Sequence, residues 1–206
     1  WDSEEGEIYY ILVHGYGDSA GPYQLDFSQG IVGPEPGPVF TLGFSGRDVV
    51  SLTGNEPQSV IVRTTLETAG LQAGEEGASG WSYGVALNGP CRLGGYNTAG
   101  TASGNFRSGG LVRGGGFRLN SILDDGNSII SAVILSLQQQ VTLDPAFNPR
   151  DLLTIFVEAG PLEGDNCQTC SLSYVDGLRE EEGQPVQIAI RYGDGLQVPG
   201  LRTKEI

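Results

Sequence analysis

The 206 residues suit one medium-sized domain with a buried core, and 38% hydrophobic with 8% aromatic content excludes both a disordered chain and a helical membrane span. A net charge of −14 repels phosphate backbones and anionic headgroups, so nucleic acid and membrane insertion are set aside. The 33 glycines and 11 prolines follow no G-x-y period, which excludes collagen and favours many short strands joined by turns.

In chain order, Glu7–His14 and Tyr23–Ser28 read as two strands. Tyr23, Leu25 and Phe27 alternate with polar residues in the second, and Tyr9, Ile11 and Val13 share one face of the first. The Gly-rich turn Gly15–Pro22 joins them into a hairpin, residues 1–28, too small to be stable alone. Residues 29–38 (QGIVGPEPGP) form a Pro/Gly linker that, extended, spans ~30 Å. Beyond it the pattern predicts strands at Val39–Ser45, Asp48–Leu52, Ser59–Leu66, Trp81–Leu87, Ser128–Gln138, Asp151–Ala159, Cys170–Val175 and Val186–Tyr192. Gly94–Asn127 reads as long loops with one or two short strands. Strands at this spacing with no 3.6-residue period indicate a β-sandwich over residues 39–206.

Gly17-Asp18-Ser19-Ala20-Gly21 matches the G-x-S-x-G nucleophile elbow, and His14 with Asp18 would complete a triad. An elbow needs a helix after the turn, with Asp and His following the Ser; here a second strand follows and the single histidine precedes Ser19. The run is therefore read as a hairpin turn, and no catalytic residues are assigned. One histidine and no carboxylate constellation point away from an enzyme.

Three cysteines, Cys91, Cys167 and Cys170, predict one disulfide, with Cys91 partnering Cys167 or Cys170 and one thiol left over to pair between chains. The C-x-x-C spacing of Cys167 and Cys170 lacks the second pair a structural zinc site needs. Asp124, Asp125 and Asn127 cluster hard oxygens suited to calcium, although D-D-G-N is equally a turn sequence. Glu180–Glu182 reads as a solvated loop. Trp81 and Tyr83 face the same side of their strand, as core residues or as a sugar-stacking platform. The chain starts at Trp1 with no signal-peptide pattern, which is read as the start of a processed, secreted chain.

Glu5–Ser28, with its YYILV strand, Gly-rich turn and G-P-Y-Q-L, resembles the closing hairpin of a bacterial pre-peptidase C-terminal domain. Gly80–Leu87 (GWSYGVAL), Ile129–Leu137 (IISAVILSL) and Leu172–Val186 (LSYVDGL…GQPV) are similar to the cohesin-like β-sandwich of large secreted bacterial proteins. That superfamily spans dockerin-binding cohesins and carbohydrate-binding modules. The resemblance implies an all-β, cohesin-like sandwich of immunoglobulin or jelly-roll type, preceded by a hairpin arm. It also implies a non-catalytic protein at the cell surface.

Two roles are expected from this. In the first, the protein is an extracellular structural subunit that self-associates head to tail through Tyr9, Ile11, Val13, Tyr23, Leu25 and Phe27. In the second, it is an adhesion module that binds a glycan or a dockerin-like ligand. No cofactor is expected beyond calcium at the Asp124 cluster.

Overall fold

Along β2 (Gln58–Ala69), Val60, Val62, Thr64 and Leu66 are buried while Ser59, Ile61 and Arg63 are exposed, the period of two that a half-buried strand requires. The same alternation recurs along β3 (Gly80–Asn88), where Trp81, Tyr83, Val85 and Leu87 are buried. Two sheets formed this way close their apolar faces on one another. The computed structural model describes residues 37–47, 58–71, 75–104, 116–137, 141–160, 169–181 and 183–206.

The remaining strands are β1 (Val39–Gly46), β4 (Arg92–Asn97), β5 (Phe117–Ile122), β6 (Ser128–Ile134), β7 (Arg150–Ala159) and β8 (Ser171–Val175). Shorter ones follow: β9 (Ala189–Tyr192), β10 (Gly195–Gln197), β11 (Gly200–Leu201) and β12 (Lys204–Glu205). The first sheet has the order β11-β1-β2-β7-β4, and the second β10-β9-β3-β6-β5. β3 shares one flank between two partners, β9 at Gly80–Ser82 and β8 at Gly84–Asn88; β12 pairs with β8. The chain changes sheet between β2 and β3, β3 and β4, β4 and β5, β6 and β7, β7 and β8, β10 and β11, and β11 and β12. Such crossings are the mark of Greek-key β-sandwiches, and they commit each sheet to partners distant in sequence.

Two buried tyrosines tie the sheets together. Thr64 Oγ1 on β2 donates to the Leu153 carbonyl at 3.3 Å, so its single proton is used and Tyr83 on β3 donates to Thr64 Oγ1 at 2.7 Å. Tyr174 on β8 donates to the Gly43 carbonyl on β1 at 2.6 Å. The Tyr174 ring stacks on Phe44 with centroids 4.6 Å apart and meets Tyr83 edge-on at 5.4 Å. A disulfide joins Cys91, just before β4, to Cys170, just before β8, and so links the two sheets covalently. The C-terminal residue closes this corner, because Cys170 and Ile206 exchange both backbone hydrogen bonds, at 3.0 and 2.8 Å.

The strands expected from the sequence largely stand where alternation placed them, with three differences. Ser128–Gln138 is a strand only to Ile134. Val186–Tyr192 shrinks to Ala189–Tyr192, because Val186 turns aside to bridge Leu178. β10 to β12 were not foreseen, whereas the rest of β4 and β5 are the short strands expected within Gly94–Asn127. Asp48–Leu52, the hairpin of residues 1–28 and most of the linker lie outside the described residues.

Replacing both Cys91 and Cys170 with Ala removes a cross-link spanning 79 residues of sequence and is expected to cost about 2–4 kcal/mol. The urea midpoint measures it; an unchanged midpoint contradicts the tie.

Burial pushes the Tyr83 phenol from 10.0 up to about 12, against the opposing influence of the Thr64 and Ser131 hydroxyls. The folded chain therefore keeps a proton that the unfolded chain loses. Stability is whole below about pH 10 and falls by about 2–3 kcal/mol as pH climbs to about 12. Tyr83→Phe should cost about 1 kcal/mol at neutral pH and flatten part of this alkaline slope. Tyr174, raised first by burial and then by the neighbouring Tyr83, retains the rest. Urea titrations of both proteins across that window check the sign.

Candidate functional site

The register of the second sheet sets three rows of side chains on its outward face. Phe117, Ile134, Gly80 and Arg191 form one row, and Leu119, Ala132, Ser82 and Ala189 the next. Ser121, Ile130 and Gly84 form the third. The β5 and β6 half of this face is apolar: Phe117 is 48% exposed, and Leu119, Ala132 and Ile134 are half-buried. Leu137, just past β6, is 64% exposed.

Over the β3 half the chain covers itself. The residues of β3 that face outward are small, Gly80, Ser82, Gly84 and Ala86, and the segment after β8 lies against Gly84 and Ser82. A Cβ on Gly84 would stand 2.7 Å from Leu178 Cδ1 and 2.6 Å from the Val175 carbonyl, so any larger residue would push this segment off. Ser82 Oγ donates to the Gln187 carbonyl at 2.6 Å and holds its far end.

The outward face of the first sheet has a different character. It carries the ion pairs Arg92–Glu158 (2.7 Å), Arg63–Asp151 (3.5 Å) and Arg202–Glu67 (2.7 Å), with two apolar rows between them, Ile61 with Phe156 and Val39 with Ala69. Exposed pairs of this kind add little stability and keep a face solvated.

Two edges are guarded against strand pairing. Tyr96 on β4 donates to the Asn120 carbonyl on β5 at 2.7 Å, occupying an edge acceptor. The register of β4 slips between Leu93 and Gly95, a bulge at Gly94 that twists the edge away from a flat partner.

Among the residues singled out in the sequence, Trp81 and Tyr83 are 3% and 0% exposed and belong to the core, so they are not a sugar-stacking platform. Cys91 bonds Cys170, which settles the open pairing for those two; Cys167 lies outside the described residues. So do His14, Asp18 and Ser19, and the six hairpin residues Tyr9, Ile11, Val13, Tyr23, Leu25 and Phe27.

Asp125 serves the β5–β6 turn. Its Oδ1 accepts the Asn127 and Ser128 amides at 2.9 and 2.8 Å, and its Oδ2 accepts the Ser128 hydroxyl at 2.6 Å. Partial burial raises its carboxyl, but these hydrogen bonds outweigh that and hold the pKa below the ordinary value. Among the described residues no group of three or more His, Cys, Asp or Glu gathers to hold a metal.

The apolar face was missed in the sequence because no strand was placed within Gly94–Asn127, read as long loops with one or two short strands, although Phe117-Arg-Leu-Asn-Ser-Ile carries its own alternation. No family model matches the chain, and no curated protein matches it significantly.

Asp125→Ala should destabilise the domain by about 1–2 kcal/mol through loss of these turn bonds. If the carboxylate works only in the turn, millimolar calcium leaves the melting temperature of the parent protein unchanged. A calcium-dependent rise that Asp125→Ala abolishes would restore the metal reading.

Proposed function

We propose that this protein is a non-catalytic, secreted structural or adhesive module that joins a protein neighbour through the apolar outward face of β5 and β6. The observation carrying this is the contrast between the two sheet faces, one solvated by ion pairs and the other bearing Phe117, Leu119, Ala132 and Ile134. A disulfide is compatible with an oxidising, extracellular setting. No helix among the described residues is long and apolar enough to cross a membrane.

The sandwich resembles cohesin-like domains in the residues already quoted, and its two sheets with repeated crossings between them agree with an all-β sandwich. In the scaffold or filament role, the N-terminal hairpin supplies the second contact, giving a head-to-tail polymer. With Tyr96 and the Gly94 bulge blocking β4 and β5, a neighbour docks on the face and not by adding a strand at those edges. The alternative, a module for a dockerin-like ligand, uses the same face. A glycan-binding role has lost its aromatic platform, since Trp81 and Tyr83 are in the core.

The full chain should therefore associate in a concentration-dependent way, seen by light scattering and as filaments in negative stain. Phe117→Asp should weaken that association about tenfold or more while leaving the melting temperature within a degree or two. Deleting residues 1–30 should leave a folded monomer. A full chain that stays monomeric at high concentration favours the ligand-binding role, and association indifferent to Phe117→Asp removes the face from either.

A further inference from the structure

At one end of the second sheet, the β5–β6 turn and the segment after β8 line a groove of about 830 Å³, a size typical of ligand clefts. Ile122, Leu123 and Leu178 give it an apolar lining. Asp124 and Asp125 belong to one wall and Glu180 and Glu181 to the other, all exposed, against a single lining cation, Arg179. Both walls are braced. The first is held by the three Asp125 bonds and by the Gly126 amide donating to Leu123 O at 2.9 Å. The second is held by the Gly177 amide to Val186 O at 2.9 Å, the Val186 amide to Leu178 O at 2.7 Å, and the Ile188 amide to Asp176 Oδ1 at 2.7 Å.

We propose that this groove binds a short cationic segment of a partner protein in which Arg or Lys alternates with apolar residues. Acidic side chains on both walls suit a guanidinium, which pairs with a carboxylate through parallel hydrogen bonds. The aliphatic stems of such residues lie along apolar lining while their heads meet the acidic rim. A divalent cation is the poorer match, because both Asp125 oxygens already accept hydrogen bonds from the turn. Walls already in place spare the cost of ordering them on binding. This rests on the proposed role in protein binding, but the groove is a different surface from the Phe117 face.

The test is fluorescence anisotropy with a labelled Arg-Leu-Arg-Leu-Arg peptide, at low and near-physiological salt. Saturable binding is expected, weakened by salt and reduced about tenfold in the triple variant Asp124→Asn, Glu180→Gln, Glu181→Gln. A control of equal net charge, Asp144→Asn, Asp194→Asn, Glu205→Gln, changes residues that do not line the groove and should bind like the parent. Equal weakening in both triple variants, or no saturable binding to the parent, overturns the assignment. Phe117→Asp should leave peptide affinity unchanged; a loss there equal to that of the groove variant also overturns it. Association tested with Phe117→Asp is read separately, so failure of the groove leaves the docking face standing.

Discussion

Two tyrosine hydroxyls that cross the interior hold the sandwich in register. A phenol buried between apolar sheets must find a partner, and the hydrogen bonds of Tyr83 and Tyr174 both reach across to the other sheet. Tyr83 reaches Thr64 on β2, and Tyr174 reaches the Gly43 carbonyl on β1. A slip of either sheet by one residue would turn these side chains to the wrong face and strand both hydroxyls. Phe44 packs against Tyr174 in the same layer, so the polar ties and the aromatic packing fix one arrangement together.

The outward face of the second sheet depends on that arrangement. With Tyr83 and Val85 committed inward, Ser82, Gly84 and Ala86 must face out, and their small size lets the segment after β8 lie flat on β3. The bridge between Leu178 and Val186 ties this segment to itself where it crosses β3. Phe117, Leu119 and Ile134 are left as the uncovered part of an otherwise sheltered face. One turn away, the same segment forms the second acidic wall opposite Asp124 and Asp125. Docking face and groove are thus two consequences of one packing choice on β3.

The corner holding the disulfide shows covalent and hydrogen-bonded ties acting together. Cys170 pairs through its backbone with Ile206 and through its sulfur with Cys91, so the end of the chain, β8 and the start of β4 meet at one residue. Lys204, nearly buried on β12, donates to the Gly46 carbonyl at 3.2 Å, carrying the C-terminal segment back to the first sheet. A chain that must bring β1, β2 and β7 together across long stretches of sequence gains from such fasteners, since each non-local pairing closes a long loop.

Period-two alternation in the sequence was enough to locate most long strands, because one buried face imposes that period wherever a strand lies on a core. Glycine and proline content was enough to predict short strands and turns, and the cysteine count one disulfide. It was the tertiary structure that decided which strands became neighbours, since Tyr174 next to Val85 and Tyr83 above Thr64 are contacts between segments far apart in the chain. The fold likewise decided that Trp81 and Tyr83 serve the core, because alternation shows that two residues share a face but not whether that face meets another sheet or water. For β5 the cue was present but masked by surrounding glycines, and its exposure depends on where the segment after β8 comes to rest. The turn role of Asp125 was not legible either, because the same carboxylate oxygens suit a metal or a turn and only the fold brings the amides of Asn127 and Ser128 onto them.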